Sequence, residues 1–250
     1  METRPPVHML WIGARLTALE RLSILSFLAN GHPVRLFTYG DVDGIPDGVE
    51  RHDGREILPA DAIFTYAEGH GKGSHAGFAN LFRYKLLLDH EGYWSDTDTV
   101  CLKPFDFSSE YVVGRERMPQ DPASGQRRER LANGVLRAPR NSPVMQDCFE
   151  AASRADKSKV KWGEIGPQLV TERFAHHGLL AHSLPPPVFY PNDWWNMDEL
   201  VTKPLAVGPE SYAIHLWNSL WLHKGYDKDA RYPRFCAYEA LKRRYGVSRA

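Results

Sequence analysis

The sequence predicts an α/β protein with a mainly parallel sheet. The chain opens with an apolar segment, residues 7–12, which ends at Gly13 and predicts a buried strand. Residues 15–29 carry leucine and phenylalanine at helical spacing, and residues 33–39 predict a second strand. Short strand–helix–strand connections are typical of a parallel sheet, because the helix returns the chain to the end of the sheet where the first strand began. No repeat or linker divides the 250 residues, so we expect a single domain over residues 1–250.

The remaining elements continue this pattern along the chain. Residues 40–75 are rich in glycine and aspartate and predict irregular structure. Residues 77–90 predict the most regular helix, which ends near Gly92, and residues 93–102 predict a strand that contains two carboxylates. Further predicted elements are strands at 111–114 and 131–137, helices at 143–154, 164–176 and 231–245, and a segment at 183–210 that wraps the surface.

Composition excludes several classes of protein. Lysine plus arginine and aspartate plus glutamate number 31 each, so the formal net charge is zero and a nucleic-acid binder is not expected. The three cysteines form no metal-binding or disulfide pattern, which favours a reducing compartment. No apolar stretch reaches the ~20 residues of a transmembrane helix, and the N-terminus does not resemble a signal peptide. We expect a cytoplasmic protein that can still associate with the inner face of a membrane.

Three aspartate pairs with one intervening residue occur in the chain. Asp41 and Asp43 lie in a region of glycine and proline, and Asp227 and Asp229 lie in a polar loop, so we interpret both pairs as turn residues. The third pair, Asp96 and Asp98, follows an apolar helix and a glycine turn and precedes another apolar run.

Asp96 and Asp98 are candidates for a metal site. Side chains alternate along a strand, so these two point to the same face if the segment is extended. Two converging carboxylates suit magnesium or manganese, and such an ion can neutralise a diphosphate leaving group. The alternative is a surface turn in which the aspartates cap backbone amides.

Six short stretches of the sequence together resemble one known group of enzymes: residues 7–13, 82–88, 91–98, 102–104, Gly166-Pro167 and residues 214–221. The group is glycosyltransferase family 32, which includes capsular-polysaccharide synthesis proteins and alpha-1,4-glycosyltransferases. The stretch around Asp96 and Asp98 resembles its sugar-binding DXD region. The order of the stretches matches the family, and the resemblance covers about residues 7–225.

The resemblance implies a GT-A fold, a Rossmann-like α/β domain that binds a nucleotide sugar at the carboxyl ends of its strands. It also implies a metal-dependent transfer that retains the anomeric configuration, with manganese or magnesium as cofactor. The donor would be a nucleotide sugar, for which we expect UDP. The acceptor would be a glycan or glycolipid hydroxyl in the synthesis of a surface polysaccharide.

Roles for individual residues follow from the resemblance alone. Asp98 would bind the metal directly, Asp96 would reach the donor or the metal through water, and His215 would complete the metal shell. Arg83 would contact the donor sugar or phosphate, and with the two aspartates it makes up the implied catalytic set. The resemblance also implies a donor-binding set. Trp11, Ile12 and Gly13 would contact the nucleobase, and Trp221 would lie by the diphosphate. The residues nearer the sugar would be Asn80, Arg83, Trp94 and Asp96.

Two positions depart from the family, and several residues keep another interpretation. Glu91 stands where the family has a glycine, and Asn80 stands where it has an aspartate that binds a sugar hydroxyl. Arg83 could be an ordinary helix arginine, and Trp11 and His215 could be core residues. Trp194 and Trp195 could be an acceptor platform or only pack a long loop. At the level of function, the alternatives are a donor hydrolase and a non-catalytic binding protein on an inactive GT-A scaffold.

Overall fold

The computed structural model describes residues 4–247. Its strands are β1 (Val7–Trp11), β2 (Val34–Thr38), β3 (Val49–Asp53), β4 (Tyr93–Ser95), β5 (Thr99–Cys101), β6 (Val112–Arg117), β7 (Glu129–Arg137), β8 (Ser183–Leu184) and β9 (Ala213–His215). Its helices are α1 (Ala18–Ala29), α2 (Ala76–Asp89), α3 (Pro143–Arg154), α4 (Leu169–His176), α5 (Glu199–Thr202), α6 (Asn218–His223) and α7 (Ala237–Arg244). The expected domain over residues 1–250 includes six terminal residues, 1–3 and 248–250, that lie outside the described residues.

Seven strands form one mixed sheet in the order β3-β2-β1-β4-β7-β6-β8. Only β7 runs against the others, because it pairs antiparallel with both β4 and β6 while the remaining pairs are parallel. This sheet confirms the predicted α/β class with a mostly parallel sheet flanked by helices. The strand order reverses at β1, which has β2 on one side and β4 on the other, so a crevice is expected at the carboxyl ends of β1 and β4.

Helices cover both faces of the sheet. One face is buried against α2, α3 and α4, and the other against α1. A third apolar cluster lies beyond α1, where a separate two-stranded sheet of β5 and β9 packs with α6 and α7. Successive residues of β1 and β2 alternate between the two faces; Met9 and Leu36 pack towards α1, whereas Leu10 and Phe37 pack towards α2.

Local signals explain the elements that were predicted well. Thr17 caps α1, where its hydroxyl accepts from the Leu19 amide, and the Thr17 amide donates to the Glu20 carboxylate. Pro143 opens α3, as its fixed φ angle allows. All three cysteines are buried and unpaired, in agreement with the absence of a disulfide pattern. Between residues 4 and 247, no helix combines the length and apolar character needed to cross a membrane.

Several predicted elements differ in the structure. The irregular region 40–75 contains β3, and the predicted strand 93–102 is broken by a turn into β4 and β5, which belong to different sheets. The helix at 164–176 is regular only from Leu169, since non-helical angles at Gly166 and the ring of Pro167 distort its start. The helix at 231–245 begins only at Ala237, after a turn in which the Cys236 amide donates to Pro233.

The segment 183–210 was expected to wrap the surface, and this is wrong for its central part. Several of its side chains belong to the interior, namely Val188, Phe189, Tyr190, Met197, Leu200 and Val201. Its prolines prevent regular structure over most of its length, but not burial.

Two buried histidines couple the fold to pH. The His8 Nε2 atom donates to the Glu91 carbonyl at 2.8 Å, and burial lowers the pKa of His8 from 6.5 to about 4. His32 binds the Pro5 carbonyl through Nδ1 and accepts the Phe105 amide at Nε2, which requires a neutral ring; burial lowers its pKa too. At pH values between the lowered pKa of the folded chain and the ordinary pKa of the unfolded chain, the unfolded chain binds more protons at these histidines. The free energy of unfolding therefore falls as the pH falls.

We expect the free energy of unfolding to be lower at about pH 5 than at about pH 7, with His8 alone contributing about 2 kcal/mol. Urea titrations at the two pH values measure the difference. His8→Leu should shrink it, whereas His176→Gln, at an exposed position, should leave it unchanged. An equal pH difference in His8→Leu and the wild type would contradict a neutral buried His8.

Candidate metal centre

The two carboxylates lie in the tight turn that connects β4 with β5. Asp96 and Asp98 occupy non-strand positions, so strand alternation does not explain why they converge. The Asp96 amide donates to the Gly134 carbonyl at 2.7 Å, and the Thr99 amide donates to the Asp96 carbonyl at 3.2 Å. The extended geometry predicted for this pair is therefore wrong, and a backbone-pinned turn brings the two side chains together instead.

The antiparallel pairing of β5 with β9 places His215 next to the aspartate pair. Thr99 pairs with His215 in this register, and the Leu216 amide donates to the Asp98 carbonyl at 2.8 Å. The Asn218 amide then donates to the Asp98 Oδ2 atom at 2.7 Å, over a separation of 120 positions in the chain. The structure therefore brings His215 to the aspartate pair.

The spacing of the three side chains fits one divalent ion. The His215 Nε2 atom lies 3.2 Å from the Asp98 Oδ1 atom and 4.0 Å from the Asp96 Oδ2 atom, and one ligand atom from each side chain lies within 4.8 Å of the others. Octahedral ligands about 2.1 Å from an ion are about 3.0 Å apart when adjacent and about 4.2 Å apart when opposite. Two carboxylates and an imidazole suit manganese better than magnesium, which prefers oxygen ligands.

Mutual stabilisation holds the triad together electrostatically. Burial opposes charge on His215, but the carboxylates of Asp98 and Asp96 outweigh it and raise the pKa of His215 to about 10. Burial likewise opposes charge on Asp98, yet His215 and the Asn218 amide hold the pKa of its carboxyl below the usual range. The Trp217 amide donates to the His215 Nδ1 atom at 3.2 Å, and this hydrogen bond opposes the second protonation that the carboxylates favour, because it needs a lone pair on Nδ1. With Nδ1 as the acceptor, the Nε2 atom carries the hydrogen that faces the carboxylates. Metal binding must displace this hydrogen.

Arg83 and Trp94 fix the orientation of Asp96. The Arg83 guanidinium donates to the Asp96 Oδ1 atom at 2.7 Å, and the Trp94 indole N–H donates to the same oxygen at 2.8 Å. Arg83 also donates to the Asn133 carbonyl at 2.6 Å and lies 4.9 Å from the centre of the Trp94 ring. The Arg83 side chain is 3% exposed, and Trp94 is buried. Both residues therefore bind Asp96 from the protein interior through its Oδ1 atom, which leaves the Oδ2 atom available to a ligand.

Asn80 belongs to a buried network behind Arg83. Its Oδ1 atom accepts from the Asn133 side chain at 2.8 Å, and that residue's carbonyl accepts from Arg83. A Cβ atom at Gly166 would lie 2.8 Å from the Asn80 Nδ2 atom, so the turn before α4 packs directly on this amide. The Tyr84 hydroxyl, on the same helix, donates to the Ile165 carbonyl at 3.0 Å.

Trp11, Ile12 and Gly13 lie at the carboxyl end of β1, the strand that neighbours β4 in the sheet. Trp11 and Ile12 are partly buried, and within residues 4–247 the Trp11 indole N–H has no hydrogen-bond partner. A Cβ atom at Gly13 would lie 3.1 Å from that nitrogen, so the glycine allows the indole to fold back against the chain.

The structure does not bring Trp221 into the centre. Its side chain is fully buried in the cluster beyond α1, where it packs 4.7 Å from the Tyr238 ring. Its indole N–H donates to the Leu216 carbonyl at 2.7 Å. The ring therefore supports the segment after His215 from the inside.

Four residues that the sequence analysis did not single out shape the centre. The amides of Trp217 and Asn218 hold His215 and Asp98, and Trp217 has a positive φ of 58°. A Cβ atom at Gly134 would lie 3.0 Å from the Tyr190 hydroxyl and 3.1 Å from the His215 Nε2 atom. The signal for Gly134 was present, because a glycine inside an apolar strand often marks a close approach.

The two other aspartate pairs lie in loops. The Asp229 amide donates to the Asp227 carboxylate at 2.9 Å within one turn, as expected of turn residues. Asp43 joins the segment after β1 through its backbone, with its amide donating to the Ala14 carbonyl at 2.9 Å.

Comparisons with known proteins support the fold. No protein-family model matches the sequence, and no curated protein matches it. Among solved structures, the chain is similar to one described as PaToxG glycosyltransferase, with a TM-score of 0.51 and 15% identity over 98% of this chain and 86% of that chain. This similarity confirms the expected fold class, a glycosyltransferase-like α/β fold.

Two further solved structures are similar at lower scores. One is a cysteine-to-serine double mutant of a transferase, with a TM-score of 0.44 and 11% identity over 70% of this chain and 87% of that chain. The other is the apo form of the glycosyltransferase GlyE of Streptococcus pneumoniae, with a TM-score of 0.41 and 13% identity over 74% of this chain and 46% of that chain.

We expect Gly134→Ala to weaken manganese binding about tenfold or more, because the new methyl group enters the space shared by Tyr190 and His215. The φ angle of Gly134 is not positive, so alanine fits its backbone. Calorimetric titration with manganese measures the change. Gly40→Ala is the control, since a Cβ atom there meets nothing within 4 Å. Equal manganese affinities in both variants would show that the space over Gly134 lies outside the centre.

Arg83→Lys tests whether Arg83 acts by orienting Asp96. Lysine keeps the charge but cannot bridge Asp96 and the Asn133 carbonyl with a planar fork, so manganese affinity should fall by about 10–100-fold. Arg154→Lys, at an exposed arginine paired with Glu150, should bind manganese as the wild type does. Wild-type affinity in Arg83→Lys, with an unchanged melting temperature, would disprove the positioning role.

Proposed function

We propose that the protein is a metal-dependent, retaining glycosyltransferase that resembles glycosyltransferase family 32. It moves a sugar from a nucleotide-sugar donor, UDP-linked, to a hydroxyl group of a glycan or glycolipid. The observation that carries the proposal is the triad of Asp96, Asp98 and His215 at the carboxyl end of β4. Ligands of open α/β sheets bind where the strand order reverses, and β1 and β4 flank this point.

Residues at the carboxyl ends of β1 and β4 bind different parts of the donor. Trp11, Ile12 and Gly13 at the end of β1 hold the base, which places the diphosphate towards the end of β4. There the Asp96 Oδ2 atom, the Asp98 carboxylate and the His215 imidazole would hold the ion. Manganese bound at these atoms would neutralise the diphosphate and stabilise it as the leaving group.

The buried residues act through Asp96 rather than on the donor. Arg83 and Trp94 saturate the Asp96 Oδ1 atom, and Asn80 supports Arg83 through Asn133. We therefore propose that all of these are positioning residues. Trp221 supports the turn after His215 in the same indirect way, because its N–H is bound to Leu216.

The proposed transfer is a front-face substitution. The bond between the anomeric carbon and the phosphate oxygen breaks, and the acceptor oxygen bonds to that carbon on the same face. The proton of the acceptor hydroxyl passes to the leaving diphosphate oxygen. This route needs no carboxylate beneath the sugar, whereas a double displacement does.

We further propose a role in surface-polysaccharide synthesis at the cytoplasmic face of a membrane, with residues 1–250 acting as one domain. This rests on the resemblance to capsular-polysaccharide synthesis proteins. The two competing functions, donor hydrolysis and donor binding without catalysis, share the same triad. They differ in the fate of the sugar, which a single assay can follow.

We expect Asp98→Asn to abolish manganese-dependent sugar transfer, because it removes a charged ligand that His215 and the Asn218 amide hold in place. The assay mixes UDP-sugars, manganese and oligosaccharide acceptors, and measures released UDP and glycosylated product separately. Asp41→Asn, an exposed member of another aspartate pair, should transfer within a few-fold of the wild type.

Each outcome of this assay separates the functions. Released UDP with transferred sugar in the wild type supports the transferase. Released UDP with free sugar under all acceptors indicates a hydrolase, and manganese-dependent binding without turnover indicates a binding protein. Full activity in Asp98→Asn would remove the triad from the proposal.

A further inference from the structure

An open groove lies on the surface next to the turn before α4. It has a volume of about 470 Å3, and its lining residues are Lys159, Lys161, Trp162, Glu164 and Gln168. None of these residues takes part in the metal centre. The groove combines an aromatic ring, two ammonium groups and an amide within one short segment of chain.

Trp162 is held in place although 39% of it is exposed. The Tyr66 ring packs on it at 5.3 Å, and the His70 ring meets it edge-on at 5.4 Å. A Cβ atom at Gly71 would collide with the indole, so the backbone of this glycine-rich loop packs closely against the ring. An indole that is braced in this way but still open to solvent offers a rigid surface for a sugar ring, whose C–H groups pack well on aromatic faces.

The polar groups of the groove favour an acidic ligand. Lys161 is exposed, and within residues 4–247 its ammonium pairs with no carboxylate or carbonyl. The Lys159 ammonium has only a loose contact of 3.5 Å with Asp156. The one acid in the lining, Glu164, already accepts the Lys161 backbone amide at 2.8 Å. The Gln168 side-chain N–H donates to Glu172 at 3.1 Å, which leaves its carbonyl oxygen for a hydroxyl donor.

The groove is connected to the metal centre through the turn that follows it. Within this turn the Ile165 carbonyl accepts from Tyr84, and Gly166 packs on Asn80. Both partners lie on α2, the helix that carries Arg83. A ligand in the groove would therefore lie beside the helix that holds Asp96 in place.

We infer that this groove binds an acidic saccharide, with the sugar ring on Trp162 and its carboxylate or phosphate on Lys161. Its role as a subsite for the acceptor rests on the proposed function; binding of the saccharide does not. A uronic acid and a sugar phosphate both present anionic oxygens to the lysines, with one negative charge and about −1.5 to −2 respectively at pH 7, and the experiment distinguishes them. A neutral saccharide would use the indole alone.

The test is calorimetric titration of the full chain, without metal or donor, with methyl glucuronoside, glucose 6-phosphate and methyl glucoside. At least one acidic probe should bind about tenfold more tightly than the neutral one, as a charge-assisted hydrogen bond predicts. Lys161→Gln should erase this difference. Trp162→Leu should weaken all three probes, and Trp162→Phe should restore most of the binding. Lys203→Gln, at an exposed lysine paired with Glu199, should change nothing.

Asp98→Asn separates this inference from the proposed function. Saccharide binding in the groove should survive this substitution, whether or not the protein transfers a sugar. Loss of probe binding in Asp98→Asn would place the probes in the metal centre and overturn the inference. Equal binding of acidic and neutral probes, or unchanged binding in Lys161→Gln and Trp162→Leu, would overturn it as well.

Discussion

The pairing of β5 with β9 is the constraint on which the candidate site depends. It is an antiparallel pair outside the main sheet, and its register sets Thr99 opposite His215. The backbone continues this register for one more residue, where Leu216 donates to the Asp98 carbonyl. A shift of one residue would turn the imidazole to the other face of the strand. The position of His215 beside the two carboxylates is therefore set by backbone hydrogen bonds.

The two aspartates differ in their surroundings. Asp96 has one oxygen saturated by Arg83 and Trp94, and its side chain is 29% exposed. Asp98 is 9% exposed at its side chain and interacts with His215 and the Asn218 amide. Asp98 is thus the more buried of the two, while the Asp96 Oδ2 atom accepts no hydrogen bond within residues 4–247. Hydrogen bonds from surrounding residues orient the ligands of metal sites in this way.

The sequence predicted those parts of the fold whose burial leaves a periodic pattern, such as β1, α1, β2 and α2. It missed β3, because an edge strand with charged side chains shows no apolar alternation. It also missed the short β9, whose strand conformation depends on a partner far away in the chain. At the site, the triad could be predicted from residue types and the family resemblance. The inward-facing contacts of Arg83, Trp94 and Trp221 could not, because a sequence shows which groups can bind a ligand but not which already bind other parts of the protein.

The separate two-stranded sheet also has a dynamic consequence. Because β5 and β9 pair only with each other within residues 4–247, they can part without disturbing any ladder of the seven-stranded sheet, and local opening of this kind costs less than global unfolding. Such an opening withdraws His215 from both carboxylates at once. A metal held by these three side chains would slow the exchange of the backbone amide protons of this pair with solvent, so their exchange rate would report metal binding.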